Sequence, residues 1–176
     1  MSRHLCNLNH SRKDASLIRQ VKLSDAQAIC DIYNEYVLHS SVTFEETPVK
    51  PAEMAQRIED ATKIAPWLVY EDGEAVVGYT YGRKWRDRIA YRHSIETGTY
   101  VHIDHLRGGI GSQLKSELLR LLREQAFHAV ISGVALPNHA SVALNEKFGF
   151  TKVAHFKEVG FKMGKWIDVG YWQLTL

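Results

Sequence analysis

The chain has 176 residues, 45% of them hydrophobic and 24% charged, the make-up of one ordinary globular domain with room for a core. Twenty-two basic against twenty acidic side chains leave a net charge of +2, short of the strongly basic balance of a nucleic-acid-binding domain. Two cysteines, Cys6 and Cys30, are too few for a disulfide framework or a four-cysteine zinc site, and no apolar run reaches the ~18–20 residues of a membrane span.

Residues 1–16 are polar and lack the apolar core of a signal peptide, so they read as a mobile extension before a single domain over 17–176. The sparse cysteines favour a reduced, cytoplasmic setting. Leu17 to Val21 is a first strand, and Ser24 or Asp25 offers the N-cap of a helix. Ile29, Ile32, Tyr33, Tyr36 and Val37 then fall on one helical face. Pro51 opens a second helix carrying Met54, Ile58 and Ala61. Trp67 to Tyr70 and Ala75 to Tyr81 flank an Asp72-Gly73 hairpin signal. Ser94 to Val101 is the next strand, and Gly98 inside it signals a bulge or the close approach of another backbone. A glycine-rich loop, Arg107-Gly108-Gly109-Ile110-Gly111, opens a helix carrying Leu114, Leu118, Leu121 and Leu122. A strand over Ala129 to Ala135 follows, then a helix from Pro137-Asn138 that stops at Gly149. Thr151 to Val159 and Ile167 to Leu174 complete the order β-α-α-β-β-β-α-β-α-β-β. This predicts an α/β chain with a mixed sheet, without the regular alternation of a doubly wound nucleotide-binding fold.

Glycines between a strand and a helix start suit a phosphate: the backbone comes close, free N–H groups point outward, and the helix dipole favours negative charge. Two common phosphate motifs fail here. A P-loop needs glycine before its Lys-Ser, and Leu114 precedes Lys115-Ser116. A dinucleotide fingerprint needs a third glycine three residues after Gly111, where Leu114 stands again. The histidines, His102, His105, His139 and His155 among them, show no metal-ligand spacing, and no metal is expected.

Glu96 lies mid-strand and shares a face with Gly98 and Tyr100 by the period of two. A carboxylate in that setting can take a proton from an amine, directly or through water. The same glutamate could equally face solvent or pair with an arginine. Downstream of the hairpin, Arg83, Lys84, Arg86, Arg88 and Arg92 are interleaved with Trp85 and Tyr91. Such a cluster reads as a single-stranded nucleic-acid contact or as a site for a small anion.

From Leu17 onward the chain resembles the GCN5-related N-acetyltransferase (GNAT) family, and within it the phosphinothricin and methionine sulfoximine acetyltransferases. The matching stretches are Ile32 to Val37 with Thr43 to Pro48, Leu106 to Gly111, Leu136 to Val142, and above all Gly160 to Gln173. The resemblance implies the acyl-CoA N-acyltransferase fold, acetyl-CoA as co-substrate, a small-molecule amine as acceptor and a homodimer; the near-neutral charge and the lack of a membrane-length apolar run speak for no nucleic-acid and no membrane partner. It implies that Arg107, Gly108, Gly109, Ile110, Gly111 and Ser112 cradle the pyrophosphate. The family's Gln or Arg at the first loop position is Leu106 here, so one contact is lost unless Arg107 supplies it. Thr99, Tyr100 and Val101 would hold the pantetheine arm like an added strand, Asn138 would bond it, and Lys147 would reach a phosphate. Glu96 takes the place of the catalytic glutamate. Trp85, Arg86, Asp87, Arg88, Thr97 and Gly98 would lie against an amino-acid-like acceptor, with Tyr33 and Phe44 lining the same pocket. Relatives carry apolar residues at the Asp87 and Arg88 positions. Many carry a Tyr or His acid where this chain has Asn145, which has no titratable proton, so the acid is unassigned.

The expected reaction is direct acetyl transfer to the α-amine of methionine sulfoximine, phosphinothricin or a related amino acid. The alternatives are transfer to a polyamine, antibiotic or peptide N-terminus, a nucleic-acid-binding module, and a CoA-binding protein without turnover.

Overall fold

In a computed structural model the described residues are 17–176; the polar extension expected at 1–16, with Cys6, lies outside them. The elements follow the predicted order. They are β1 (Leu17–Gln20), α1 (Ala26–His39), α2 (Pro51–Thr62), β2 (Trp67–Asp72), β3 (Ala75–Lys84), β4 (Ser94–Val101), α3 (Ile110–Glu124), β5 (Ala129–Leu136), α4 (His139–Lys147), β6 (Thr151–Lys162) and β7 (Lys165–Thr175). One seven-stranded sheet runs β1-β2-β3-β4-β5-β7-β6. Its single parallel contact joins β4 to β5, across the crossover through α3.

Helices cover both faces. Ile29, Ile32, Tyr33 and Val37 of α1 with Met54 and Ile58 of α2 bury against Trp67, Val69 and Tyr79. Leu114, Leu118, Leu119 and Leu122 of α3 bury on the opposite face against Leu68, Val77, Ile95, Val130 and Trp172. Trp67 to Tyr70 is therefore apolar at every position, because both faces of β2 are covered.

Three local expectations change. Asp25 stands at the N-cap position of α1, but its side chain makes no cap bond: its carboxylate accepts the Lys22 N–H at 2.7 Å and two hydrogen bonds from Arg19. The β2–β3 turn is Gly73-Glu74, Asp72 still pairing with Ala75. Gly98 marks neither a bulge nor an approaching backbone, for β3 and β4 pair without a register shift. It makes room for the Tyr81 ring, whose carbons lie 2.7 Å from where a Cβ would stand.

Candidate active site

The β4–β5 ladder stops early. Ser94, Ile95 and Glu96 pair with Ala129, Val130 and Ile131, yet β4 continues to Val101 and β5 to Leu136. The strands splay beyond Glu96, leaving the backbone edge of 97–101 without a strand partner on that side. Three contiguous cavities follow this gap. Tyr100 and Val42 line all three.

The first cavity, about 670 Å³, is walled by Tyr33, Thr43, Phe44, Glu45, Tyr81, Arg83, Glu96, Gly98 and Tyr171 among others. Glu96 sits at the apex of the splay, its side chain 18% exposed. It accepts a hydrogen bond from Arg83 Nε at 3.0 Å and forms an ion pair with a terminal guanidinium nitrogen at 2.9 Å. Across the cavity the Tyr33 hydroxyl lies 2.6 Å from Thr43 Oγ1 and donates to Glu45 at 3.0 Å. Burial pushes that hydroxyl up to about 12, so it stays protonated at neutral pH. Burial works against the Glu45 carboxylate, but hydrogen bonds from Arg57 and Tyr33 outweigh it and hold the carboxyl below its ordinary range. The loop over 40–50 that carries these groups is pinned from three sides. Asn34 exchanges two hydrogen bonds with Val49, Arg57 holds Glu45, and the buried Lys162 ammonium donates to the Val37 and Thr43 carbonyls.

The second large cavity, about 590 Å³, lies on the far side of the splay, between β4, the start of α3 and α4. Arg107 and Gly109 take left-handed backbone, with φ of 66° and 80°. Position 109 thus favours glycine, while Arg107 carries the strain that a side chain brings there. The first α3 ladder bond is Gln113 N–H to Gly109 C=O, so the amides of Ile110, Gly111 and Ser112 precede the ladder. A Cβ on Gly111 would stand 3.6 Å from Leu144 and 3.8 Å from Val101, inside this cleft. Lys147 Nζ donates to Ser112 Oγ at 3.1 Å, placing a cation beside the amide cluster. Asn138 Oδ1 caps α4 by accepting the Ser141 N–H, and its residue lines the cleft. An anion cradle, an open strand edge and a flanking cation fit a long, phosphate-bearing thioester such as acetyl-CoA.

A small cavity of about 60 Å³ joins the two, lined by Thr97, Gly98, Ser132, Gly133, Lys115 and Asn145 among others. Thus Glu96, Thr97, Gly98, Tyr33 and Phe44 face the first cavity. Thr99, Tyr100, Val101, Arg107, Gly109, Ile110, Gly111, Ser112, Asn138 and Lys147 face the second, and Gly108 stays outside its lining.

Trp85, Arg86, Asp87 and Arg88 are placed differently from expectation. None lines the first cavity. Arg86 stacks over the Trp85 ring at 4.5 Å, Trp85 meets the Tyr171 ring edge to face at 5.6 Å, Asp87 is fully exposed beside Lys84, and Arg88 starts a short 3₁₀ turn. Arg83 takes the inward place because β3 is still paired there, Arg83 opposite Glu96; the chain leaves the sheet after Lys84. The basic run is therefore no continuous stripe. Lys115, Tyr171 and the Lys162 anchor were missed by sequence reasoning, although a lysine among the α3 leucines was a visible signal. Among the described residues no three His, Cys, Asp or Glu side chains gather as a metal site, and no helix is long and apolar enough to cross a membrane.

The pattern that describes the acetyltransferase (GNAT) domain matches residues 18–170. The chain is 38% identical over 156 residues to the phosphinothricin N-acetyltransferase of Streptomyces viridochromogenes, covering 89% of this chain and 85% of that protein. It is 33% identical to the L-methionine sulfoximine/L-methionine sulfone acetyltransferase of Salmonella typhimurium, covering 90% and 94%. The solved structure of yncA from Salmonella typhimurium with its cofactor acetyl-CoA superposes with a TM-score of 0.90 at 32% identity, covering 92% of this chain and 94% of that one.

Proposed function

We propose that this chain, which belongs to the GNAT acetyltransferase family, moves an acetyl group from acetyl-CoA to the α-amine of a small amino acid of the methionine sulfoximine or phosphinothricin type, in a ternary complex. One observation carries the reading. The β4–β5 ladder ends at Glu96, so a carboxylate stands in the wall of the acceptor cavity beside Thr97 and Gly98, which also line the passage to the anion cradle.

Acetyl-CoA supplies an activated acetyl group as a thioester. The amides of Ile110, Gly111 and Ser112, with Arg107 and Lys147 beside them, hold its phosphates. The open edge of Thr99 to Val101 and the amide of Asn138 hold the pantetheine arm. Glu96 takes a proton from the acceptor ammonium, because only the free amine has a lone pair to attack with. Arg83 orients Glu96 and turns its remaining N–H groups to the acceptor's carboxylate or phosphinate, a geometry suited to a planar fork. Phe44, Phe156, Val159 and Tyr171 give the acceptor's side chain an apolar wall. Holding both reactants in one passage removes much of the entropic barrier.

The names of the two relatives support this acceptor class. A homodimer belongs to the same reading, supported by an apolar strip on the β6–β7 hairpin in which Phe161, Met163 and Trp166 are each more than half exposed. So does a cytoplasmic setting, supported by the free thiol of Cys30.

Thiol release from acetyl-CoA is measured against methionine sulfoximine, phosphinothricin, the twenty amino acids, spermidine and a peptide amine. Saturable turnover is expected with the sulfoximine or the phosphinate. Turnover confined to spermidine or the peptide would replace the acceptor class. Glu96→Gln should lower kcat by roughly 10²–10⁴ with acetyl-CoA affinity kept; an unchanged rate would remove Glu96 from the role of base.

A further inference from the structure

The mechanism above leaves the departing sulfur without a partner, and the cavity between the two clefts holds a cation that no step has used. Lys115 projects from α3 with only 4% of its surface exposed, and Asn145, on α4, is 2% exposed. Lys115 Nζ donates to Asn145 Oδ1, and Asn145 Nδ2 donates to the Ser141 carbonyl at 3.0 Å. The amide orientation is thereby fixed, its oxygen accepting from the lysine and its nitrogen donating within α4. The ammonium also lies 4.3 Å from the centroid of the Phe150 ring. Among the described residues Asn145 is the one hydrogen-bond partner of this amine, which leaves N–H groups to spend on the cavity that both side chains line. That cavity is bounded by Thr97 to Tyr100 of β4 and Ser132 to Ala135 of β5, the two strands whose splay joins the acceptor cavity to the cradle.

We propose that Lys115, aimed by Asn145, is the proton donor to the departing sulfur of acetyl-CoA. The inference rests on the acetyl-transfer reading above. As the amine nitrogen forms its bond to the acetyl carbon, the carbon–sulfur bond breaks and its electron pair goes to sulfur. The Lys115 ammonium gives that sulfur a proton, leaving CoA thiol and a neutral lysine. The acceptor nitrogen sheds two protons, one to Glu96 before attack and one to water after it. Lys115 regains one from solvent, so each turnover releases one proton. The lysine is suited to this exchange. Desolvation pushes it down to about 7, near neutrality and below an ordinary thiol, so transfer to a thiolate runs downhill. Tyr100 is the titratable side chain that shares the cavity, burial holding it well above its usual value; no carboxylate lines it. Asn145 is a positioning residue, and the acid has moved from α4 to α3.

The natural chain, Lys115→Met and Lys115→Gln are compared in two assays. The first measures no turnover: affinities for CoA and for desulfo-CoA, which lacks the sulfur, are obtained by calorimetry. The natural chain is expected to prefer CoA by about three- to tenfold, the worth of one hydrogen bond, and Lys115→Met to lose that preference while binding desulfo-CoA unchanged. The second follows single-turnover thiol release against pH. The natural rate should fall as pH rises through about 7, because the donor form is lost, and both variants should be slower by roughly 10² and lack that limb. Rates of either variant within twofold of the natural chain overturn the proposal. So does a variant that loses affinity for both ligands alike, since the lysine is then structural. A natural chain that binds CoA with the sulfur preference but turns over no amine removes the acetyl-transfer reading, and the proton-donor role with it. A natural chain that transfers acetyl without that preference removes the proton donor alone.

Discussion

Arg83 and Arg86 are three positions apart and face different worlds. Arg83 is still inside β3, where pairing opposite Glu96 turns it to the carboxylate. Arg86 is past the strand end, stacked on Trp85. Charge alone gives the two the same weight; the place where the ladder ends separates them. In the proposed reaction Arg83 orients the base and meets the acceptor's anionic group, a role that Arg86 on its loop does not share. Arg83→Gln is therefore expected to lower kcat/KM for the amino-acid acceptor by tenfold or more, the loss of a charge-assisted hydrogen bond. Arg86→Gln should cost less in the same steady-state assay, and a larger loss from Arg86→Gln would return the site to the loop. Lys115 shows the same lesson from the other side. Its spacing of three, four and seven to Leu118, Leu119 and Leu122 puts it in the buried stripe of α3, which composition alone does not reveal.

At the scale of elements, the loop over 40–50 forms one wall of the first cavity, the proposed acceptor site, yet it has no regular structure of its own beyond bends. Its shape is set by side chains from elsewhere. Phe44 lies so close over Gly160 of β6 that a Cβ there would stand 2.3 Å from the ring, and Lys162, two residues on, holds the Val37 and Thr43 carbonyls at 2.7 and 2.9 Å. Lys162→Met leaves both carbonyls without their donor in a buried place. It should cost about 1–3 kcal/mol and raise KM for the acceptor more than KM for acetyl-CoA, since Thr43 and Phe44 touch only the acceptor side. Thermal unfolding together with the two KM values checks this; an equal rise in both would mean that the loop does not shape the acceptor wall selectively.

The whole molecule divides its labour between the two faces of one sheet and the gap within it. Helices α1 and α2 with their loop shape the first cavity, α3 and α4 shape the second, and the splay of β4 from β5 connects them. The β6–β7 hairpin at the sheet edge lends Phe156, Val159 and Tyr171 to the cavity while exposing Phe161, Met163 and Trp166 outward. If that strip is the dimer contact, Trp166→Lys should convert a dimer of the natural chain to a monomer, with its secondary structure kept; light scattering after gel filtration and circular dichroism read both. A natural chain already monomeric would leave the strip without that role. The sequence by itself determined the order of elements, the buried faces of α1 to α3, the glycine-marked helix start and the face on which Glu96 lies. These are local matters, governed by periodicity, capping and the freedom of glycine within a few residues. Only the tertiary structure decided where the β4–β5 ladder stops, that Arg83 rather than Arg86 meets Glu96, that Lys115 finds Asn145 thirty residues away, and that Lys162 reaches Val37 across 125 residues. Such pairings depend on how distant segments pack and on which buried polar groups must find partners there, and no short window of sequence holds that information.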